Sequence, residues 1–174
     1  MRTTWIVSSI AATALLAACS SKPAPSALQA KAALAPIAGS GVTGHAVFTE
    51  QANGHVLVNA RVEGLKANAT HGFHIHEHGS CQDNGNAAGG HFNPIGSAHG
   101  KYNTPHHHLG DLPSLKADAN GIAIVNALIP SLAVTSGANS IESKALIVHA
   151  DPDDYTSQPN GNAGARIACA VIAK

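Results

Sequence analysis

Gly72-Phe73-His74-Ile75-His76-Glu77 is the stretch that decides the fold of this chain. Phe73 and Ile75 are apolar and alternate with two histidines, and this period of two predicts a β-strand. On such a strand His74 and His76 share one face. Imidazole is a common ligand of zinc and copper, so two imidazoles side by side on a rigid element indicate a metal site.

Further apolar runs on both sides of this stretch also predict strands. They are Val42 to Glu50, His55 to Glu63, Ile122 to Ile129, Ala145 to Val148 and Ile167 to Ile172. Asn53-Gly54 joins the first two runs and is a strong hairpin signal. Residues 77–113 and 151–165 are expected to be irregular, and loops of that length are usually functional. With no convincing amphipathic helix beyond the N-terminal segment, we expect an all-β sandwich or barrel.

Length and composition predict a single domain without an extended charged surface. The chain has 174 residues, of which 44% are hydrophobic, which suffices for one core. Its formal net charge is zero and 11% of its residues are charged. Charge therefore argues against nucleic acid or an anionic membrane surface as a partner.

The N-terminus has the pattern of an export signal. Arg2 precedes an apolar stretch from Trp5 to Ala18 that is too short to span a bilayer. The sequence Leu16-Ala17-Ala18-Cys19 resembles the lipobox of bacterial lipoproteins, which implies cleavage before Cys19 and a lipid on its sulfur. An ordinary secretory signal is the alternative.

On the lipoprotein interpretation, residues 1–18 are the signal peptide, 19–38 a flexible tether and 39–174 the folded domain. The chain would be anchored in the cell envelope on the periplasmic side. Ser20 follows the cysteine where an inner-membrane lipoprotein often has aspartate, so the outer membrane is expected.

The remaining cysteines form an even pair. If Cys19 carries lipid, Cys81 and Cys169 are left in an oxidising compartment, where a disulfide is expected. The alternative is two independent buried thiols. A bridge would tie the histidine-rich loop to the C-terminal apolar strand.

Several more candidate ligands surround the first pair. His149 ends an apolar strand and can approach His74 and His76 from a neighbouring strand. Ligands held on rigid strands suit a metal that changes oxidation state. Three histidines and an aspartate on the long loop would make a closed tetrahedral zinc site; they are His91, His99, His108 and Asp111.

These motifs resemble the copper,zinc superoxide dismutase family from about Val42 to the C-terminus. The motifs are Gly72 to Glu77, Gly90-His91-Phe92-Asn93-Pro94, His99-Gly100, His108-Leu109-Gly110-Asp111-Leu112 and Gly161 to Cys169. The resemblance implies a Greek-key β-sandwich or barrel of about eight antiparallel strands with two long functional loops. It also implies dismutation of superoxide to dioxygen and hydrogen peroxide at a copper centre beside a structural zinc, protecting the cell envelope.

The resemblance assigns roles by position. It implies copper ligands at His74, His76, His91 and His149, and zinc ligands at His91, His99, His108 and Asp111. His91 would bridge the two metals and act in proton delivery, and Arg166 would attract and orient the superoxide anion. Asp153 would hydrogen-bond ligands of both metals, and Cys81 and Cys169 would form the family disulfide.

The other histidines receive plainer interpretations. We expect His71 to be structural and three others to lie on the surface or to be satisfied locally; these are His45, His55 and His78. His106 and His107 adjoin His108, and the spacing to the aspartate does not by itself decide which ring reaches zinc. Residues 151–165 contain no lysine, so steering of the anion is expected to depend mainly on Arg166.

Two alternatives stay open from the sequence. A non-catalytic metal-binding lipoprotein could use the same fold, although zinc binding alone would not need His74, His76 and His149 together. The resemblance also leaves both a monomer and a homodimer open, because dimers in the family use different surfaces.

Overall fold

The computed structural model describes residues 27–174, and this part of the chain is built from β-strands. The strands are β1 (Gln29–Pro36), β2 (Thr43–Glu50), β3 (Val56–Glu63), β4 (Thr70–His71), β5 (Phe73–His76), β6 (Leu115–Lys116), β7 (Ala123–Ile129), β8 (Ala145–His149) and β9 (Arg166–Val171). One short 3-10 helix covers Asn86–Ala88. The predicted all-β class is confirmed, and the predicted strand ends agree to within one or two residues.

Seven strands form one antiparallel, curled sheet in the order β5-β8-β9-β1-β2-β3-β7. Strand β1 joins its two halves: residues 29–34 pair with β2, whereas Ala35 and Pro36 pair with β9. The order β9-β1-β2-β3 places a chain-distant strand beside a three-strand meander, which is the Greek-key arrangement. Strands β4 and β6 form a separate two-stranded ribbon.

The hydrophobic core lies between the two halves of the curled sheet. Phe48 and Val58 from one half and Phe73 and Ile75 from the other have no exposed surface. Burial of each such side chain contributes about 1.5–3 kcal/mol. Because Phe73 and Ile75 occupy the core face of β5, the alternate residues of that strand face away from the core.

The predicted tether is wrong over most of the part that the structure describes. We expected residues 19–38 to be flexible, but Gln29–Pro36 forms β1 and buries Ala30, Ala32 and Leu34. Alanine is a weak strand former, so the alternation on β1 gives little signal in the sequence. The folded domain therefore begins earlier than residue 39. The predicted signal peptide, Cys19 and the rest of the tether up to residue 26 lie outside the described residues.

A membrane-spanning helix is absent from residues 27–174, where no helix reaches the necessary length and apolarity.

Two irregular segments cover the outer face of β5 and β8, as expected from the sequence. The first, residues 77–113, is called the long loop, and the second, residues 151–165, the short loop. The long loop pairs along the edge of β5, because Ile75 N donates to Gly110 O at 2.9 Å and Phe92 N donates to Ile75 O at 2.8 Å. A disulfide between Cys81 and Cys169 ties this loop to β9 across 88 residues of sequence.

Candidate metal centre

Two groups of buried side chains meet beneath the loops. Within each group, one potential ligand atom per residue lies within 4.8 Å of the others. We call them the four-histidine group and the three-histidine-aspartate group. The first contains His74, His76, His91 and His149, and the second contains His91, His99, His108 and Asp111. His91 belongs to both groups, so the two are directly joined.

Strand geometry places three of these histidines. Phe73 and Ile75 point into the core, so His74 and His76 face the loops, where each has a relative exposure of 1%. Strand β8 runs antiparallel beside β5 and ends at His149. An irregularity between β8 and β9 at Val148/His149 lies at this end of the strand. The three imidazoles therefore come from two adjacent strands, as the sequence predicts.

The long loop places the remaining members by pairing with the same strand. Isolated backbone bridges set His91 opposite His76 and Asp111 opposite His74. Glu77 N donates to Gly90 O at 3.0 Å, immediately before His91. Register along β5 thus determines which loop residues reach the centre.

Backbone carbonyls orient two rings of the four-histidine group. His76 Nδ1 lies 3.0 Å from Gly89 O, and His149 Nδ1 lies 3.2 Å from Gly164 O. When these nitrogens carry protons and donate, the Nε2 atoms become acceptors, and the two Nε2 atoms lie 3.3 Å apart. Both rings therefore present a lone pair to the same space.

Unpartnered ring nitrogens complete that group. His74 Nδ1 and His91 Nε2 are buried and have no hydrogen-bond partner. Buried polar atoms are almost always satisfied, so such atoms beside two further imidazoles call for a ligand. Four convergent imidazole nitrogens are a donor set that fits copper.

The second group surrounds the carboxylate of Asp111. His91 Nδ1 lies 2.8 Å from this carboxylate, and His99 Nδ1 lies 3.1 Å from it. The backbone N–H of His108 donates to Asp111 Oδ2 at 2.7 Å, while His108 Nδ1 is buried without a partner. Three imidazoles and one carboxylate in a closed, buried cluster fit a tetrahedral zinc ion.

Asp153 forms hydrogen bonds with one histidine of each group. Its carboxylate accepts a hydrogen bond from His74 Nε2 at 2.8 Å and another from His99 Nε2 at 2.9 Å. Tyr155 N also donates to it, at 2.7 Å. Burial would raise the pKa of Asp153, but the hydrogen bonds to His74 and His99 outweigh burial and hold that pKa below its usual range. The ionised carboxylate orients one ring from each group.

Burial favours the neutral form of two candidate copper ligands. It lowers the pKa of His74 to about 4 and that of His149 to about 3, against an ordinary value of 6.5. The pKa of Asp111 is held well below its usual range, because hydrogen bonds to His91 and His99 outweigh the opposing effect of burial. Neutral imidazoles and an ionised carboxylate are the forms that bind metal ions.

A cavity of about 500 Å³ leads from solvent to the four-histidine group. Its lining includes His76, His91, His149 and Arg166. Nη1 of Arg166 donates to Gly85 O and Nη2 donates to Gly89 O, the latter at 2.6 Å. The guanidinium is thereby fixed beside the imidazoles and gives the cavity a positive charge that suits a small anion.

Comparisons with known proteins agree with this geometry. The family model for copper/zinc superoxide dismutase (SODC) matches residues 42–172, well over half of the chain. The chain belongs to this family. It is 43% identical over 127 residues to Cu-Zn superoxide dismutase 2 of Aquifex aeolicus (strain VF5), covering 70% of this chain and 74% of the relative. It is 41% identical over 137 residues to the Cu-Zn superoxide dismutase of Paramecium bursaria Chlorella virus 1, covering 75% and 72%.

A solved structure extends the comparison to the fold. A double mutant of a SOD-like protein from Bacillus subtilis superposes with a TM-score of 0.74 at 37% sequence identity. The match covers 83% of this chain and 97% of the other. As a member of the copper/zinc superoxide dismutase family, this chain has superoxide dismutation as its activity and copper and zinc as its cofactors.

The histidines outside the two groups contact backbone carbonyls or lie at or near the surface. His71 is buried, and its Nδ1 lies 2.9 Å from His149 O. His106 and His107 are outside both groups, and His107 Nδ1 lies 2.8 Å from Thr104 O instead. His45 and His78 are exposed and His55 is half-buried. Of the three adjacent histidines 106–108, His108 is therefore the one that belongs to the group around Asp111.

Sequence reasoning missed Gln158, a residue that holds a candidate ligand. Its side-chain Oε1 accepts from His99 N, and its Nε2 donates to His99 O, both at 2.9 Å. The two bonds clamp the backbone of His99 to the short loop. The amide lies 59 residues away in sequence, and no local pattern indicates the contact.

Proposed function

We propose that the four-histidine group binds copper and that the three-histidine-aspartate group binds zinc. The observation that supports this most directly is the orientation of His91. Its Nδ1 lies 2.8 Å from Asp111 in one group, and its Nε2 is buried and unpartnered in the other. One imidazole can serve both sites only when its two nitrogens face different metals.

Bound copper supplies the one-electron couple that successive superoxide ions reduce and oxidise. The residues of the chain contribute charge, position and protons. Arg166 provides the positive charge that draws the anion into the cavity, and its two hydrogen bonds to loop carbonyls hold the guanidinium beside His149.

His91 is the residue best placed to move a proton. His91 is among the residues that line the cavity, and its Nδ1 lies 2.8 Å from Asp111. An imidazole held at Nδ1 would take up a proton at Nε2 only while that nitrogen is not bound to copper, and it could then donate the proton to the reduced product. We therefore assign His91 Nε2 as the donor of one proton for hydrogen peroxide.

We further propose that the enzyme acts in the cell envelope, anchored on the periplasmic side by a lipid on Cys19. The apolar stretch from Trp5 to Ala18 and the small residues before the cysteine support this location. Superoxide is charged and crosses a bilayer poorly, so an exported enzyme would protect the envelope from superoxide produced there. Ser20 supports the outer membrane. Cys19→Ser should move the protein from the membrane fraction to the soluble fraction; unchanged fractionation would contradict the anchor.

Metal loading tests the proposed site. The full chain is supplied with zinc and then copper, the content of each metal is measured, and superoxide removal is assayed. We expect one copper and one zinc per chain and activity that requires copper. His149→Ala should lose copper and retain zinc, whereas His99→Ala should weaken zinc first. A chain with both metals bound and no activity would refute the proposal.

A further inference from the structure

The cavity that leads to the four-histidine group carries opposite charges at its wall. Among its lining residues in the described part of the chain, full charges belong to Arg166 and Glu77. The guanidinium favours an anionic substrate, but it repels a copper ion that must pass through the same opening. A cation therefore needs a favourable contact at the rim before it reaches the buried imidazoles.

Glu77 lines this cavity and His78 lines a neighbouring surface cavity, and both side chains are exposed. The side-chain exposures are 49% for Glu77 and 65% for His78. His78 Nε2 lies 3.7 Å from Glu77 Oε2. Bonds of roughly 2.0–2.2 Å from one metal ion to nitrogen and oxygen place the two donor atoms roughly 3–4 Å apart. The separation in the structure matches this span.

The backbone keeps the pair beside the loop that holds His91. Glu77 N donates to Gly90 O and His78 N donates to Ala88 O, each at 3.0 Å. Gly89 and Gly90 leave room for the two side chains, because a Cβ at Gly89 would lie 2.9 Å from the His78 ring and a Cβ at Gly90 would lie 3.2 Å from Glu77 Oε1. Both side chains are thereby kept beside the segment that carries His91.

From this geometry we infer that Glu77 and His78 form a metal-capture site, which binds a copper ion weakly and delivers it to the four-histidine group. The inference rests on the proposed copper site. Two protein ligands leave the ion mostly hydrated, so it is released readily. Glu77 lines both the cavity at the four-histidine group and a neighbouring surface cavity that includes His78, and so connects the two.

The outer cavity also contains a cation, which packs against an aromatic ring. Lys144 lines that cavity, and its Nζ lies 5.0 Å from the centroid of the Phe92 ring. A cation–π contact directs the ammonium toward the aromatic face. A bare surface ion pair between Glu77 and His78 would contribute little to stability, so loss of either residue should leave the fold intact.

Copper loading kinetics test the inference. The full chain, already loaded with zinc, is mixed with Cu²⁺ alone, and the visible absorption of bound copper is followed with time. His78→Ala, His78→Gln and Glu77→Gln should each slow the second-order loading rate by about five- to tenfold. The final absorption should equal that of the unaltered chain. The double variant should load no more slowly than about the slower single variant, because both changes remove one site.

Exposed His45 offers a matched control, since it lies on the outer face of β2 opposite Arg61 and has no carboxylate partner there. His45→Ala should load at the rate of the unaltered chain. Equal loading rates in the His78 variants and the unaltered chain would overturn the capture site while leaving the copper site in place. Failure of the unaltered chain to develop any copper absorption would overturn the proposed copper site itself.

Discussion

Asp153 holds the ring of His74 through a 2.8 Å hydrogen bond between Oδ2 and Nε2, and both side chains are buried. This bond fixes the tautomer of His74 and turns its Nδ1 into the four-histidine group. The other carboxylate oxygen of Asp153 does the same for His99 in the second group. A single carboxylate therefore orients one ligand for each metal.

Asp153→Asn should weaken both metal sites. An amide presents one oxygen and one NH₂ group, so it can accept from one of the two ring N–H groups but not from both. We expect each metal to bind about 10–100-fold more weakly, as for other residues that orient metal ligands. Equilibrium competition with a chelator measures both affinities.

Asp154→Asn is the matched control for this change. Asp154 adjoins Asp153 but is exposed, and its carboxylate accepts from Thr156 and Ser157 within the short loop. Its substitution should leave both metal affinities unchanged. Equal losses in the two variants would show that loop stability, and not ligand orientation, is what Asp153 contributes.

The site was more predictable from the sequence than the boundary of the fold. The positions of His74, His76 and His149 could be predicted from local strand patterns. A period of two is visible in the sequence because a strand places alternate side chains on opposite faces of the sheet. Strand β1 was missed because Ala30 and Ala32 resemble a low-complexity segment until β2 and β9 pair with it. Alanine gains strand structure here from its partners and not from its own propensity.

Two long-range contacts made by the loops could not be predicted from the sequence for a different reason. The clamp of Gln158 on His99 and the capping of Arg166 by Gly85 and Gly89 each join positions more than 50 residues apart. Such contacts depend on how an irregular backbone folds, and irregular backbone has no period to detect.

Arg166→Gln should lower kcat/KM for superoxide by about tenfold or more, because it removes the cation of the cavity. The short loop contains no lysine, so the unaltered enzyme should lose rate only mildly as ionic strength rises from about 10 mM to about 150 mM. Pulse radiolysis measures both quantities. Asn160 lines the same cavity, and Asn160→Lys should raise the rate at low salt and steepen its salt dependence. A steep dependence in the unaltered enzyme would contradict steering by Arg166 alone.

Glu77→Gln should slow copper loading but speed the reaction with superoxide. Loss of the carboxylate removes a repulsive charge from the cavity, so kcat/KM for superoxide should rise by about two- to threefold at low salt. Glu63→Gln removes an equal charge from the exposed end of β3, where Glu63 pairs with Arg61, and should leave kcat/KM unchanged. A rise in both variants would indicate an effect of net charge and not of position.

Replacement of Cys81 and Cys169 together by serine should affect stability and rate at once. The bridge spans 88 residues, and closing a loop of that length stabilises the folded state by about 4–5 kcal/mol in the chain-entropy model. The same loop carries the carbonyls of Gly85 and Gly89 that hold Arg166, so kcat/KM should also fall. Urea unfolding and the superoxide assay measure the two effects. An unchanged rate in a destabilised variant would mean that the loop holds Arg166 without the bridge.

The metal-free chain should be most stable near neutral pH and lose stability on both sides. In the folded state the pKa of His74 is about 4 and that of His149 about 3, below their unfolded value of 6.5. Between the folded and the unfolded pKa values the unfolded chain therefore binds more protons than the folded chain. The free energy of unfolding falls as pH drops below 6.5, by about 3 kcal/mol for His74 alone.

The pKa of His99 is raised to about 9 by hydrogen bonds to Asp111 and Asp153 that outweigh burial. Its contribution is complete below pH 6.5 and is lost as pH rises through 9. Urea unfolding of the chelator-treated chain across this range should give a bell-shaped profile. His99→Gln should remove the alkaline decline and retain the acidic one, whereas loss of both declines together would contradict this assignment.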